Sequence, residues 1–189
     1  MYAAQLSRSE MVVMAMAQLI TPENCADQAA AVAAVTRVAA AVPDPELVVV
    51  SVGELGILRG VEARDGQFVM QVTPTYSACP ATLAIEMGIE MAVRDAGYDA
   101  RVERVLAPAW TTDWISDDGR AKLKANGIAP PVAGSAASGE TDYFSVVTVP
   151  CPRCDSNDTK MLAAFGSTAC KAQYQCQSCH EPFDYFKCL

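Results

Sequence analysis

Histidine is almost missing from this sequence. The chain has 189 residues and one His, His180, which directly follows a cysteine. Imidazole is the group that most often moves protons near neutral pH, so its scarcity argues against acid–base catalysis. A Gly-rich phosphate loop and a serine nucleophile elbow are also missing. The chain does not read as an enzyme in its own right. Basic side chains are scarce too: 14 Lys and Arg stand against 22 Asp and Glu, giving a net charge of −8 and a pI near 4.6. A nucleic-acid surface needs clustered cations, and that class is set aside. The imbalance is local, because residues 1–150 carry 10 basic and 18 acidic side chains while residues 151–189 carry 4 of each. No apolar run reaches the ~18 residues needed to span a bilayer. Met11 to Ile20 is apolar, but Glu10 directly precedes it and Met1 to Ser7 offers no basic side chain. It reads as a short helix docked on the main domain or a loosely ordered extension, rather than a secretory leader.

What the chain does have is cysteine, eight in all, six of them in the last 39 residues. Cys151-x-x-Cys154 and Cys176-x-x-Cys179 are separated by 21 residues. Each pair fits a tight turn that aims two sulfurs at one ion, and the intervening stretch can run out and back as a hairpin. A module of about 40 residues buries too little surface to be stable alone, and a structural ion would supply the difference. Paired motifs of this kind favour a metal in a reducing, cytoplasmic compartment over disulfides. Four thiolates around Zn²⁺ make a closed, redox-silent site, and the same set around iron makes a one-electron centre. The commoner ribbon pattern favours zinc. His180 is expected at the surface or beside the ligands.

Ahead of this module, hydrophobic residues make up 51% of the chain, enough for a sizeable core. The pattern predicts a helix over Ala26 to Val42, stopped by Pro43. It predicts an extended Leu47 to Val52, then strands over Ile57 to Ala63 and Gln67 to Thr73 joined at Asp65-Gly66. A helix follows from Pro80 to Asp95, then a third strand over Ala100 to Leu106 and a short helix capped by Ser116. In the longer helix, Leu83, Met87 and Met91 form one apolar row and Ile85, Ile89 and Val93 another, so it is expected to be buried around much of its girth. The Pro-, Gly- and Ser-rich stretch 130–142 reads as a linker. Phe144 to Val149 reads as a strand leading to the first cysteine turn.

Two further thiols draw interest. Cys79 precedes Pro80 at the mouth of the long helix, where amide dipoles lower a thiol pKa. It reads either as a reactive or metal-binding thiol or as a residue that merely closes the helix end. Cys170 precedes Lys171 and is either a packed small side chain or a thiol activated by that lysine. Cys25 and the penultimate Cys188 receive no role.

Asp44-Pro45-Glu46, Leu55-Gly56, Thr75-x-x-x-Cys79-Pro80 and Pro108-Ala109-Trp110-Thr111-Thr112-Asp113-Trp114 recur in this order in the SufT-like iron–sulfur maturation domain. The resemblance runs from about Val35 to Ile128. With Phe165-Gly166-Ser167-Thr168-Ala169-Cys170-Lys171 and Cys176-x-x-Cys179-x-Glu181-Pro182-Phe183, the chain resembles the PaaD family, accessory proteins of phenylacetyl-CoA epoxidase in bacterial phenylacetate degradation. One departure is Val48, where the family often has Pro.

The resemblance implies an α+β fold: a three-stranded mixed or antiparallel sheet with two to three helices, followed by a zinc β-ribbon. The implied division is an extension 1–25, a SufT-like domain 26–129, the linker 130–142 and a ribbon 143–189. It implies help in assembling a metal centre, most plausibly the iron–sulfur cluster of the epoxidase's reductase component. Cys79 would hold a transient iron or iron–sulfur cluster, Asp44 and Glu46 would polarise its pocket, and Thr75 would hydrogen-bond nearby. Cys151, Cys154, Cys176 and Cys179 would hold Zn²⁺. Partners would be the epoxidase subunits, with no nucleic acid and no membrane. An exposed sheet face could also pair as a homodimer. Other readings of the same residues are a non-catalytic structural component seated on the oxygenase and a rubredoxin-like electron carrier.

Overall fold

The structure, a computed structural model, describes residues 25–76, 78–131 and 148–187. The expectations for Met11 to Ile20, Ser77, residues 132–147 and Cys188 lie outside the described residues. The first half is an α+β domain. Helix α1 (Cys25–Ala40) leads through a loop to strands β1 (Leu58–Arg64) and β2 (Gln67–Val72), helix α2 (Thr82–Asp95) and strand β3 (Ala100–Arg104). A 3₁₀ turn (Thr112–Trp114) and helix α3 (Asp117–Ala125) follow. The sheet order is β1-β2-β3. β1 and β2 are antiparallel, and β2 and β3 are parallel, so the sheet is mixed.

Local chemistry explains the elements. Asp65 (φ 53°) and Gly66 (φ 80°) both occupy the left-handed region, as a two-residue hairpin matched to strand twist requires. Ser116 caps α3 by accepting from the Gly119 amide, and Gly127 at φ 76° ends the turn that follows. β2, the middle strand, is buried through Phe68, Val69, Met70 and Val72. The parallel return from β2 to β3 is made by α2, which lays Ile85, Ile89 and Val93 on the core.

Two expectations are corrected. Leu47 to Val52 is not a strand. Its only ladder contact is an isolated bridge between Pro43 and Ser51. The Asp44 carboxylate accepts from the amides of Glu46 and Leu47, and the Val50 amide donates to the Leu47 carbonyl. These bonds curl the segment into consecutive turns. The exposed Val48 stands where the turn needs no ring. Helix α2 is buried on one side only: Leu83, Met87 and Met91 are 62%, 53% and 59% exposed. The sheet can cover only one face of a helix, and the row of Ile85, Ile89 and Val93 takes it.

The second half is a β-ribbon: β5 (Thr159–Ala163), β6 (Lys171–Cys176) and β7 (Pro182–Phe186), antiparallel in sequence order. A short strand from the first half, β4 (Ile128–Ala129), adds itself to β7 in parallel. The sheet order is therefore β4-β7-β6-β5. The exchange runs both ways. Ala129 packs in the ribbon core, whereas Cys170 and Phe186 pack in the core of the α+β half. Among the described residues no helix is long and apolar enough to cross a membrane.

Gly56 marks a tight approach. At φ +68° it would place a Cβ 2.5 Å from Trp114 Cβ. Gly56→Ala should therefore combine backbone strain with overpacking, lowering stability by about 2–5 kcal/mol. A fall in thermal midpoint and in urea midpoint, at unchanged zinc content, checks this.

Candidate functional site

Two sulfur sites of different character lie in the structure. In the ribbon, the Cys151 turn is closed by the Asp155 amide donating to the Cys151 carbonyl and the Cys151 amide donating to the Ser156 carbonyl. The second turn is tightened by the Cys179 amide pointing at Cys176 Sγ, 3.4 Å away. The sulfurs of Cys151, Cys154, Cys176 and Cys179 all lie within 4.8 Å of one another. Cys151 and Cys179 are 3.7 Å apart, and Cys154 and Cys176 are 3.6 Å apart. A tetrahedron of sulfurs around Zn²⁺ at ~2.3 Å has edges of about 3.8 Å, so the donors present fit zinc. These four cysteines are the ligands of a structural zinc site.

Electrostatics agree that the cluster needs a cation. The amides of Cys179 and Ser178 bring Cys176 down to about 6. The Ser156 amide favours the Cys154 thiolate, yet the neighbouring Cys179 sulfur and the others push that thiol up to about 12. Four sulfurs this close cannot all carry charge unless an ion compensates them. His180 is exposed, in the left-handed region at φ 62°, and is not part of the four-sulfur group.

The second site is a cavity between the halves. Asp44, Glu46, Thr75 and Cys79 line it from the first half, and Cys170 and Phe186 close it from the ribbon. Leu55, Ile57 and Ile85 form its apolar floor. The structure thus brings together the residues that the sequence grouped only by resemblance. Asp44 is 6% exposed. Its Oδ1 takes the two loop amides at 2.8 Å each, and Oδ2 has no hydrogen-bond partner among the described residues. Glu46 Oε2 accepts from Cys170 Sγ at 3.5 Å, across 124 residues of sequence. Cys79 is half-buried. Its carbonyl accepts from the amide and hydroxyl of Thr82, at 3.3 and 2.9 Å, which fixes the loop at the mouth of α2.

Cys170 departs from the activated thiol that Lys171 suggested. Burial pushes it up to about 11, against the Thr168 hydroxyl, and the Glu46 and Asp44 carboxylates add to the rise. Lys171 is itself buried, and its ammonium faces Asp184 at 3.9 Å. Burial also holds Asp44 above its ordinary 3.8, outweighing the two amides that favour its charge. Tyr76 was not anticipated. Burial raises its phenol, and the sulfurs of Cys79 and Cys170 and the Glu46 carboxylate add to the effect, so the phenol lies near the same donors. Its place inside the Thr75-x-x-x-Cys79 motif was the available signal. Phe186 was also missed. Its ring meets Trp110 edge-on with centroids 6.3 Å apart, and the Trp110 indole N–H donates to the Leu55 carbonyl at 2.8 Å.

Comparison with known proteins matches both halves. Residues 32–107 fit the family described as "Iron-sulfur cluster assembly protein", and residues 135–187 fit "PaaD zinc beta ribbon domain". The chain is 44% identical over 149 residues to a 1,2-phenylacetyl-CoA epoxidase component of Escherichia coli (strain K12), covering 78% of this chain and 87% of that protein. A crystal structure of a domain of unknown function, DUF59, from Bacillus anthracis is 25% identical and covers 53% of this chain and 97% of its own, with a TM-score of 0.49.

Two outcomes are expected. Elemental analysis should find zinc in the purified chain. Chelation or Cys151→Ser should remove it, with loss of hydrogen-exchange protection in β5 to β7. For Asp44, the folded-state pKa is raised, so its contribution to stability is greatest below pH 3.8 and is lost as pH rises through the folded value. Asp44→Asn keeps an oxygen for the two amides and removes the charge. Urea titrations should find the variant more stable than the parent near neutral pH, with the gap closing as pH falls toward 3.8.

Proposed function

The chain belongs to the PaaD family of phenylacetyl-CoA epoxidase components, and from that premise we propose that it is a cytoplasmic accessory factor that matures a metal centre of the epoxidase. The observation that carries the reading is the convergence of Asp44, Glu46, Thr75 and Cys79 on one cavity. A transfer protein needs a thiolate that can bind metal and release it, and so must remain reachable. Cys79 is half-buried at the cavity wall. Asp44 and Glu46 supply negative charge that attracts a cation and oxygen atoms that can share it. Thr75 lines the same wall with a hydroxyl.

The ribbon does the opposite work. Its four sulfurs form a closed set, suited to holding an ion permanently. Its roles are to carry Cys170 and Phe186 to the cavity and to present a docking face. The recipient is a component of the epoxidase, foremost the iron–sulfur reductase. The chain itself performs no turnover in this reading.

Cys79→Ser tests it. Co-expressed with the other epoxidase components, the variant should fold and keep its zinc. The iron and acid-labile sulfide of the recipient should fall at least about tenfold. Full metal content in the recipient would refute the transfer role. A second reading, a protein that only docks on the oxygenase and steadies it, is favoured by the exposed row Leu83, Met87 and Met91. It predicts stoichiometric co-purification and full epoxidase activity that survive Cys79→Ser.

A further inference from the structure

We propose that the cavity's cargo is a single ferrous ion, taken between Cys79 of the first half and Cys170 of the ribbon, with Asp44 and Glu46 as oxygen donors. This rests on the maturation reading above and names what is carried and by which second thiol.

Size is the first ground. The cavity measures about 20 Å³, enough for roughly one water-sized group. One metal ion fits that space. A cluster of several irons with its bridging sulfides cannot enter unless the two halves part, and Phe186, 1% exposed, is fixed in the shared core.

The donor set is the second ground. Two thiols and two carboxylates converge on this space from three stretches of chain. Asp44 is buried, and its Oδ1 is already engaged by two amides. Its Oδ2 has no hydrogen-bond partner among the described residues, which leaves one carboxylate oxygen free to meet a cation. A mixed sulfur and oxygen set suits ferrous iron, whereas the all-sulfur cage of the ribbon suits zinc. The two sites of one chain are thereby chemically sorted.

Openness is the third. Among the described residues, the ribbon sulfurs are the one group of three or more such donors within 4.8 Å of one another. The cavity donors stand wider apart, so an ion there is held by fewer short bonds and can leave. Cys170 already touches Glu46, with Sγ 3.5 Å from Oε2. Loading replaces that S–H···O contact: Fe²⁺ binds, the two thiols give their protons to solvent, and no oxidation state changes.

The test is an anaerobic titration of the zinc-loaded full chain with Co²⁺, a spectroscopic stand-in for Fe²⁺, followed by thiolate-to-cobalt charge transfer. One Co²⁺ per chain should bind beyond the zinc and be displaced by Fe²⁺. Cys79→Ser and Cys170→Ala should each remove about half the charge-transfer intensity and weaken binding at least about tenfold. Zinc content and circular dichroism should stay unchanged. Glu46→Gln, which alters no thiol, should weaken binding with the band intensity kept. Absence of the extra Co²⁺, or a spectrum indifferent to Cys170→Ala, overturns the proposal. Retention of acid-labile sulfide in step with iron after incubation with both overturns it as well. Failure of the parent reading looks different: the cobalt site is present, and the epoxidase still acquires its iron when Cys79 is replaced. If Cys79→Ser starves the epoxidase while no cobalt site exists, the maturation reading survives and the single-ion proposal falls.

Discussion

The seat of Phe186 is the contact on which the rest of the structure depends. It comes from the last strand of the ribbon but is 1% exposed inside the core of the other half. Trp110 meets it edge-on, and Trp110 is held by its bond to the Leu55 carbonyl. Burying such a ring is worth about 1.5–3 kcal/mol. That is modest against a whole fold, but it acts where geometry matters. Phe186 pairs with Lys171 across β7 and β6, and Lys171 follows Cys170. Seating the ring therefore delivers the thiol to Glu46.

Zinc enters this picture at a distance. It gathers Cys176, at the far end of β6, with the three other cysteines. The cage holds one end of the strand and the ring holds the other. A small ribbon with little core of its own gains both a fixed shape and a fixed placement. The two sulfur sites consequently differ in permanence for physical reasons: one is sealed and all-sulfur, the other open and mixed with oxygen.

Much of this was legible in the residues. The two Cys-x-x-Cys turns, the Asp65-Gly66 hairpin and the Ser116 cap are local chemistry, and local chemistry is what sequence spells out. Leu47 to Val52 misled because its apolar content resembles a strand, while the deciding bonds come from a carboxylate upstream, Asp44. The two apolar rows of α2 could not be ranked without the sheet, which covers only one of them. Of the candidate site, the motif around Cys79 was readable. The contact between Glu46 and Cys170 was not, because 124 residues separate them and no local pattern encodes such a meeting. Tyr76 stood inside a known motif and still went unnoticed, since a tyrosine in a loop has no distinguishing spacing.

The borrowed strand β4 and the lent ring of Phe186 form a reciprocal exchange. Each half contains a vacancy shaped for a piece of the other. Fragments produced separately would carry complementary defects, one a ribbon with a bare edge and the other a globule with a hole. A scission between Pro131 and Thr148 in the assembled molecule would sever covalent continuity and still leave the halves clasped. Evolution is thereby constrained to treat the two modules as one heritable unit, even though their family signatures can be recognised separately.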